Sequence, residues 1–221
     1  MARGSFREQV LQAREVAIVA AVNRLLAEKG FDAMTVDAVA AEVGIAKASL
    51  YKHFKSKEEL AAAAMIGVLD RALALIETLQ NNPALDERDR LEAVTRWTMQ
   101  VQLAGEMPSL PAQNSALRSA LMADKVYLDR LMQVSELLGA WIVAAQSAGR
   151  LDAGLPPEVL LYTIYARACD PVLGLLKASA NFTDEQIIEM LLSTCFCGLA
   201  GVAPQAVRQA ALDQTSSTHR G

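Results

Sequence analysis

The stretch Val43–Leu60, VGIAKASLYKHFKSKEEL, decides the reading of this chain. Lys47, Lys52, Lys55 and Lys57 fall within it, beside Tyr51 and His53, and no acid precedes Glu58. The 221-residue chain as a whole has a net charge of −4, whereas Val43–Lys57 carries +4. A local basic patch on an acidic body suits a directed contact with a polyanion and speaks against a protein that coats nucleic acid or membrane through its overall charge. After Gly44 only Ile45 and Ala46 intervene before KASLYKHF, which predicts about two helical turns with Leu50 and Phe54 at i, i+4 on the inner side. Lys47, Ala48, Ser49, Tyr51, Lys52 and His53 are then expected on the outer sides. Ser56 with Glu59 three residues on predicts a capping box that starts another helix.

Outward from this stretch the chain reads all-α, since alanine, leucine, glutamate and glutamine dominate and β-branched or aromatic runs are short. A first helix is expected from Phe6 to Lys29, ending at Gly30, with Ile18, Val22, Leu25 and Leu26 on one face. Thr35 is a good N-cap for a short helix over Val36–Val43, with Val39 and Val43 inward and Gly44 as its stop. The helix after Ser56 is predicted to run from Lys57 to Leu79, before NNPALD breaks it. Further helices are expected over Asp86–Leu103, Pro111–Met122, Lys125–Ala148, Pro156–Lys177 with a kink at Pro171, and Asp184–Val202. The organisation that follows is a helix-turn-helix domain at 1–56, a connecting helix at 57–80, a larger helical domain at 81–203 and a disordered tail at 204–221.

Two short helices joined by a glycine turn, the second with Ser, Tyr, Lys and His outside, form a helix-turn-helix with its reading helix outward. A helix of this kind fits the major groove of DNA, with lysines and hydroxyls reaching phosphates at its edges. The alternative is a solvated lysine-rich face. Residues 16–61, VAIVAAVNRLLAEKGFDAMTVDAVAAEVGIAKASLYKHFKSKEELA, carry the motifs EKGF, TV, VGI, LYKHF and SKEEL. At these spacings the segment resembles the N-terminal domain of the TetR family of transcriptional regulators. The resemblance implies that Thr35, Lys47, Ser49, Tyr51, His53 and Lys57 fall at positions touching DNA backbone or bases, and that Ala48 and Lys52 vary with operator sequence. It also implies that the remainder is a ligand-binding and dimerisation domain. Two residues depart from the pattern: Ala46 stands where a capping Ser or Thr is frequent, and Asp37 where some members carry a basic reader.

The expected function is therefore a ligand-responsive transcriptional regulator, a repressor that binds an inverted-repeat operator as a homodimer and is released by a small hydrophobic effector. An activator, a ligand-independent DNA-binding protein of the same fold and an all-α enzyme are the alternatives. An enzyme finds little support, because the chain has no glycine-rich phosphate loop or His/Cys metal spacing and only two histidines, His53 and His219. No cofactor or metal is expected. For the effector pocket, bulky and adaptable side chains nominate Trp97, Leu103, Met107, Tyr127, Met132, Trp141, Tyr162 and Tyr165. For the dimer, the stripe Ile187, Leu191, Thr194 and Gly198, with Leu160, Ile164 and Ala168 as a neighbouring face, suits a four-helix interface; ordinary intrachain core is the alternative. Arg167 and Asp170, if buried, must pair with each other or with something bound. The three cysteines read as buried reduced thiols, with a redox sensor as the alternative. A polar start and the lack of about 18 uninterrupted apolar residues predict a cytoplasmic protein.

Overall fold

The computed structural model describes residues 6–107 and 116–198. Within them the chain forms α1 (Phe6–Ala33), α2 (Val36–Val43), α3 (Lys47–Leu50), α4 (Lys57–Gln80), α5 (Glu87–Leu103), α6 (Ala116–Ala123), α7 (Lys125–Ser147), α8 (Pro157–Arg167), α9 (Pro171–Ala178) and α10 (Asp184–Cys197). The expected tail at 204–221, and the expected ends of two helices at 111–115 and 199–202, lie outside the described residues.

Cap chemistry sets most of these boundaries. Gly30 sits at φ 74°, a left-handed value that costs glycine little, and it bends α1 sharply before Phe31 packs back. Thr35 Oγ1 accepts the Ala38 N–H at 3.1 Å and opens α2. Gly44, at φ 71°, closes it: its own N–H and that of Ile45 donate to the Ala41 and Ala40 carbonyls, which the helix would otherwise leave unpaired. Ala46 gives α3 no side-chain cap, and only four residues are α-helical before the chain tightens through turns at Tyr51–His53. Ser56 Oγ accepts the Glu59 N–H, but the Glu59 carboxylate takes the Lys55 N–H instead of closing a reciprocal box on Ser56. Complete capping boxes stand at Asp86/Asp89 and Thr183/Gln186.

The helices bury their apolar stripes in linked clusters. Ile18, Val22, Leu25 and Leu26 of α1, Val39 of α2 and Leu50 of α3 pack on Leu60, Ala61, Ala64 and Met65 of α4, and the same cluster takes in Leu117, Leu121 and Tyr127 from α6 and α7. Farther along α4, Ala72 and Ile76 join Leu91 and Val94 of α5, Val134, Leu138, Trp141 and Ile142 of α7, and Ile164 of α8. Between these, Val68 meets Val101 and Met107. A last cluster joins Met99 of α5 and Leu173 of α9 to Ile187, Ile188, Leu191 and Leu192 of α10.

The expected single kinked helix over Pro156–Lys177 is two helices. Pro171 has no N–H, and the residue before a proline is driven to extended backbone; Asp170 adopts φ −70°, ψ 115° and caps Val172 N through Oδ1 at 3.0 Å. The stretch Pro157–Ala178 is apolar enough to cross a membrane, with a mean hydropathy of 1.4 over an 18-residue window. Broken into helices of 11 and 8 residues, it has neither piece near the about 20 residues that a span requires.

The second correction concerns the proposed dimer stripe. Ile187 is fully buried, Leu191 is 7% exposed and Ile164 is 5% exposed, all within intrachain clusters, so these side chains are already spent inside one chain. Leu191→Ala is therefore expected to cost about 2–5 kcal/mol of folding stability in a urea titration, the range for truncating a buried leucine. A cost well under 1 kcal/mol would return Leu191 to the surface.

Candidate functional site

The patch is assembled by α1, α2, α3 and the start of α4. Leu50, fully buried, anchors α3 to the core, and Phe54 packs partly buried beside it. Lys47, Ala48, Tyr51 and Lys52 are exposed, as is Thr35; Ser49 and Lys57 are half-buried at the edge. His53 departs from expectation. Its side chain is only 11% exposed and Nδ1 lies 3.1 Å from Glu15 Oε1 of α1, so it ties the turn after α3 to α1 instead of facing outward. The α-helix stops at Leu50, and the tighter turn rotates the following residues relative to an ideal 3.6-residue spiral.

Several of the patch cations already have oxygen partners. Lys47 Nζ meets Asp37 Oδ2 at 2.8 Å, and the hydrogen bond to that carboxylate raises the lysine's pKa above its ordinary value. Lys57 Nζ donates to the Asp32 carbonyl at 3.1 Å and stands 4.3 Å from the Phe31 ring centroid, a cation–π contact. Glu42 of α2 is held by Arg24 of α1 at 2.8 Å. Sequence reasoning noted Asp37 as a departure from a family pattern and did not see it as a partner for Lys47. The signal was present in its opposite charge to Lys47, ten residues on, across a two-helix turn.

The eight pocket nominees fall into different surroundings. Trp141 and Tyr165 join the α4–α5–α7–α8 cluster, and Trp97 packs against both that cluster and Val68, Val101 and Met107. Leu103 packs on the α5–α9–α10 cluster and Tyr127 belongs to the cluster beneath the basic patch. Met132 and Tyr162 are corrections: at 58% and 68% exposed they line no interior. Each lies on the outward side of a helix whose other side is packed. Half-buried Tyr165 donates or accepts a 2.7 Å hydrogen bond with Ser135, and partial burial pushes its phenol above the ordinary value. A separate groove of about 560 Å³ opens between α4 and α7, lined by Asp70, Leu73, Glu77, Arg130, Gln133 and Leu137 among others, and none of the eight nominees borders it.

Of the dimer nominees, Leu160 and Ala168 pack partly buried within the chain, Thr194 is half-buried with its hydroxyl on the Leu191 carbonyl, and Gly198 is exposed at the end of α10. The faces left open are different ones. Val159, Tyr162, Thr163 and Ala166 form an exposed i, i+3, i+4, i+7 stripe on α8, and Gln186, Met190, Ser193 and Cys197 an exposed stripe on α10. Arg167 and Asp170 pair with each other at 2.6 Å, while Gln102 Nε2 donates to the Asp170 carbonyl. Cys169 and Cys195 are half-buried, and burial raises both thiols above their ordinary pKa; Cys197 is exposed, against the expectation of three buried thiols.

Sequence reasoning missed the ties between α4 and the helices around it. Arg71 binds Glu106 Oε2 at 2.7 Å and the Glu106 carbonyl at 3.1 Å, and Arg130 of α7 binds Asp70 at 2.6 Å. Arg96 of α5 reaches Glu185 and Glu189 of α10. Opposite charges 35, 60 and about 90 residues apart carry no spacing signal, so only the fold brings them together.

Residues 18–64 match the family described as bacterial regulatory proteins, tetR family. Over 53 residues the chain is 49% identical to the uncharacterized HTH-type transcriptional regulator Mb1581 of Mycobacterium bovis, a match covering 24% of this chain and about a quarter of that relative, 26%. Over 176 residues it is 32% identical to the HTH-type transcriptional regulator EthR of Mycobacterium tuberculosis, covering 78% of this chain and 77% of the relative. Its fold is similar to that of the transcriptional regulator FadR from Bacillus subtilis, solved in complex with stearoyl-CoA, with a TM-score of 0.63 at 16% identity over 84% of this chain and 99% of that one. The length and identity of the EthR match, together with the helix-turn-helix geometry, place this all-α chain in the TetR family: it is a DNA-binding transcriptional regulator and not an enzyme.

Proposed function

We propose that the protein is a ligand-responsive repressor acting in the cytoplasm: a homodimer that binds an inverted-repeat operator and leaves it when a hydrophobic effector occupies the helical body. The observation that carries this reading is the continuity of α4. Its first turn adjoins the basic patch through Lys57, and its last turns share a core with Trp141 and Tyr165. On this reading residues 1–56 form the DNA-binding domain, 57–80 the connection and 81–203 the effector and dimer domain.

In the DNA complex α3 enters the major groove. Ala48 and Lys52 face base edges, the small Ala48 side chain permitting close approach, while Lys47, Ser49, Tyr51, Thr35 and Lys57 hold phosphates. His53 supports the reading helix from behind through Glu15. One such helix contacts too few base pairs for useful specificity, so two act on half-sites about a helical turn or more apart. The effector is proposed to enter among Trp97, Met107, Trp141 and Tyr165, an apolar set with the Ser135–Tyr165 hydroxyls as its polar anchor. A fatty acyl compound fits this chemistry, and the stearoyl-CoA bound by the structurally similar FadR supports the choice. Its arrival shifts α4 against α5 and α7 and so changes the separation of the two reading helices.

The reading is tested by footprinting on the DNA flanking the protein's own coding sequence, which is expected to reveal a protected inverted repeat. Protection of no discrete site would contradict it. Two variants probe its parts. Lys57→Ala is expected to weaken binding to all duplexes by a similar factor and to flatten the log–log salt dependence by about 0.9, the value of one phosphate contact; an unchanged slope in anisotropy titrations would remove Lys57 from the interface. Tyr162→Glu, on the open α8 stripe, is expected to convert a dimer into a folded monomer in sedimentation equilibrium at micromolar concentration. A dimer that survives this substitution would move the interface elsewhere.

A further inference from the structure

The Lys47–Asp37 contact does not fit a surface built only to attract DNA. Asp37 is 69% exposed at the start of α2, and it sets a carboxylate 2.8 Å from a lysine on the exposed face of the reading helix. The neighbouring acid of α2, Glu42, is taken up by Arg24, so Asp37 is the carboxylate that α2 presents to the patch. Its place in the first turn is favoured by the positive end of the helix dipole, which holds the charge where it is. Lys52 and Lys55, by contrast, have no ion-pair partner among the described residues.

We propose that Asp37 is a specificity-determining residue of the DNA interface, acting through Lys47. The proposal rests on α3 being the groove-reading helix. A lysine ammonium has three donors, and in the pair one of them is spent on Asp37. When the protein meets DNA in an arbitrary register, the pair presents no net charge, so Lys47 contributes nothing to sequence-independent attraction. When α3 is seated with α2 against the backbone, a phosphate on the side of the ammonium away from Asp37 accepts the remaining donors, and the carboxylate then fixes where the ammonium points. An exposed ion pair is weak, worth a factor of about five at most, so the exchange is easy where the geometry allows it. Asp37 thus lowers non-specific binding without lowering operator binding.

The test uses full-length wild type, Asp37→Asn, Lys47→Ala and the double variant. Each is titrated with the duplex that the wild type selects from a random pool and with a scrambled duplex of equal length, over a range of salt. Asparagine keeps the shape and removes the charge. Asp37→Asn is expected to tighten scrambled-DNA binding by about three- to fivefold and to steepen its salt slope by about 0.9, with binding to the selected duplex unchanged within about twofold. In the Lys47→Ala background the same substitution is expected to move both duplexes by one common factor. Asp37→Glu, which retains the charge, is expected to keep the wild-type ratio of the two affinities, a readout that a purely helix-stabilising role would leave alone. If Asp37→Asn changes both affinities by the same factor with Lys47 present, or changes neither, the proposal is overturned. Failure of the wild type to select any sequence would instead contradict the reading of α3 and take the proposal with it.

Discussion

Helix α4 is the element on which the rest of the structure depends, because one apolar stripe serves clusters along its whole length. Leu60, Ala61, Ala64 and Met65 hold the helix-turn-helix, Val68 meets α5, and Ala72 and Ile76 belong to the core that contains Trp141. Close-packed interiors transmit strain instead of absorbing it, so displacement of either end of such a helix is felt at the other. The ion pairs Arg71–Glu106 and Arg130–Asp70 fall at adjacent α4 positions near its middle. Both are exposed, so each adds little stability, but together they couple the position of α4 to α7 and to the turn after α5.

The same economy governs the basic patch. Its lysines stay on the surface because Leu50 and Phe54 claim the inner side of a very short helix, and that helix is positioned by its neighbours more than by its own propensity. It lacks a side-chain cap at Ala46, yet Gly44 fixes its entry and the His53–Glu15 contact its exit. Two of its basic side chains, Lys47 and His53, have acids within reach, and on the proposed reading the Asp37 carboxylate tempers attraction to DNA. A regulator must leave most DNA alone, and on that proposal the charge balance around α3 serves this requirement as much as affinity.

Much of this was legible in the sequence because it rests on local chemistry. Thr35, Gly44 and Ser56 announce helix boundaries through their own side chains or through glycine's freedom at positive φ, and the structure bears these boundaries out, although Glu59 does not close the reciprocal box expected on Ser56. The spacing of Leu50 and Phe54 identified the inner side of α3. What misled was partner choice. Periodicity marks Ile187 and Leu191 as one face of a helix, but a stripe does not say whether its own chain or a second copy covers it, and Met99 and Leu173 cover it here. Met132 and Tyr162 look like pocket residues by chemistry, yet they stand on outward faces. Pro171 was read as a kink because the break also needs Asp170 as a cap, a role its Oδ1 fills while Oδ2 pairs with Arg167.

The central claim, that α4 links an effector site in the helical body to the reading helices, is tested most directly by following both ends at once. Trp97 and Trp141 lie in the proposed pocket, so their emission reports occupancy while the anisotropy of a labelled footprinted duplex reports DNA binding. In a titration with a long-chain acyl-CoA, the account predicts that the tryptophan emission changes and the duplex is released over the same range of concentration. An emission change that saturates while the duplex stays bound with undiminished affinity would contradict it.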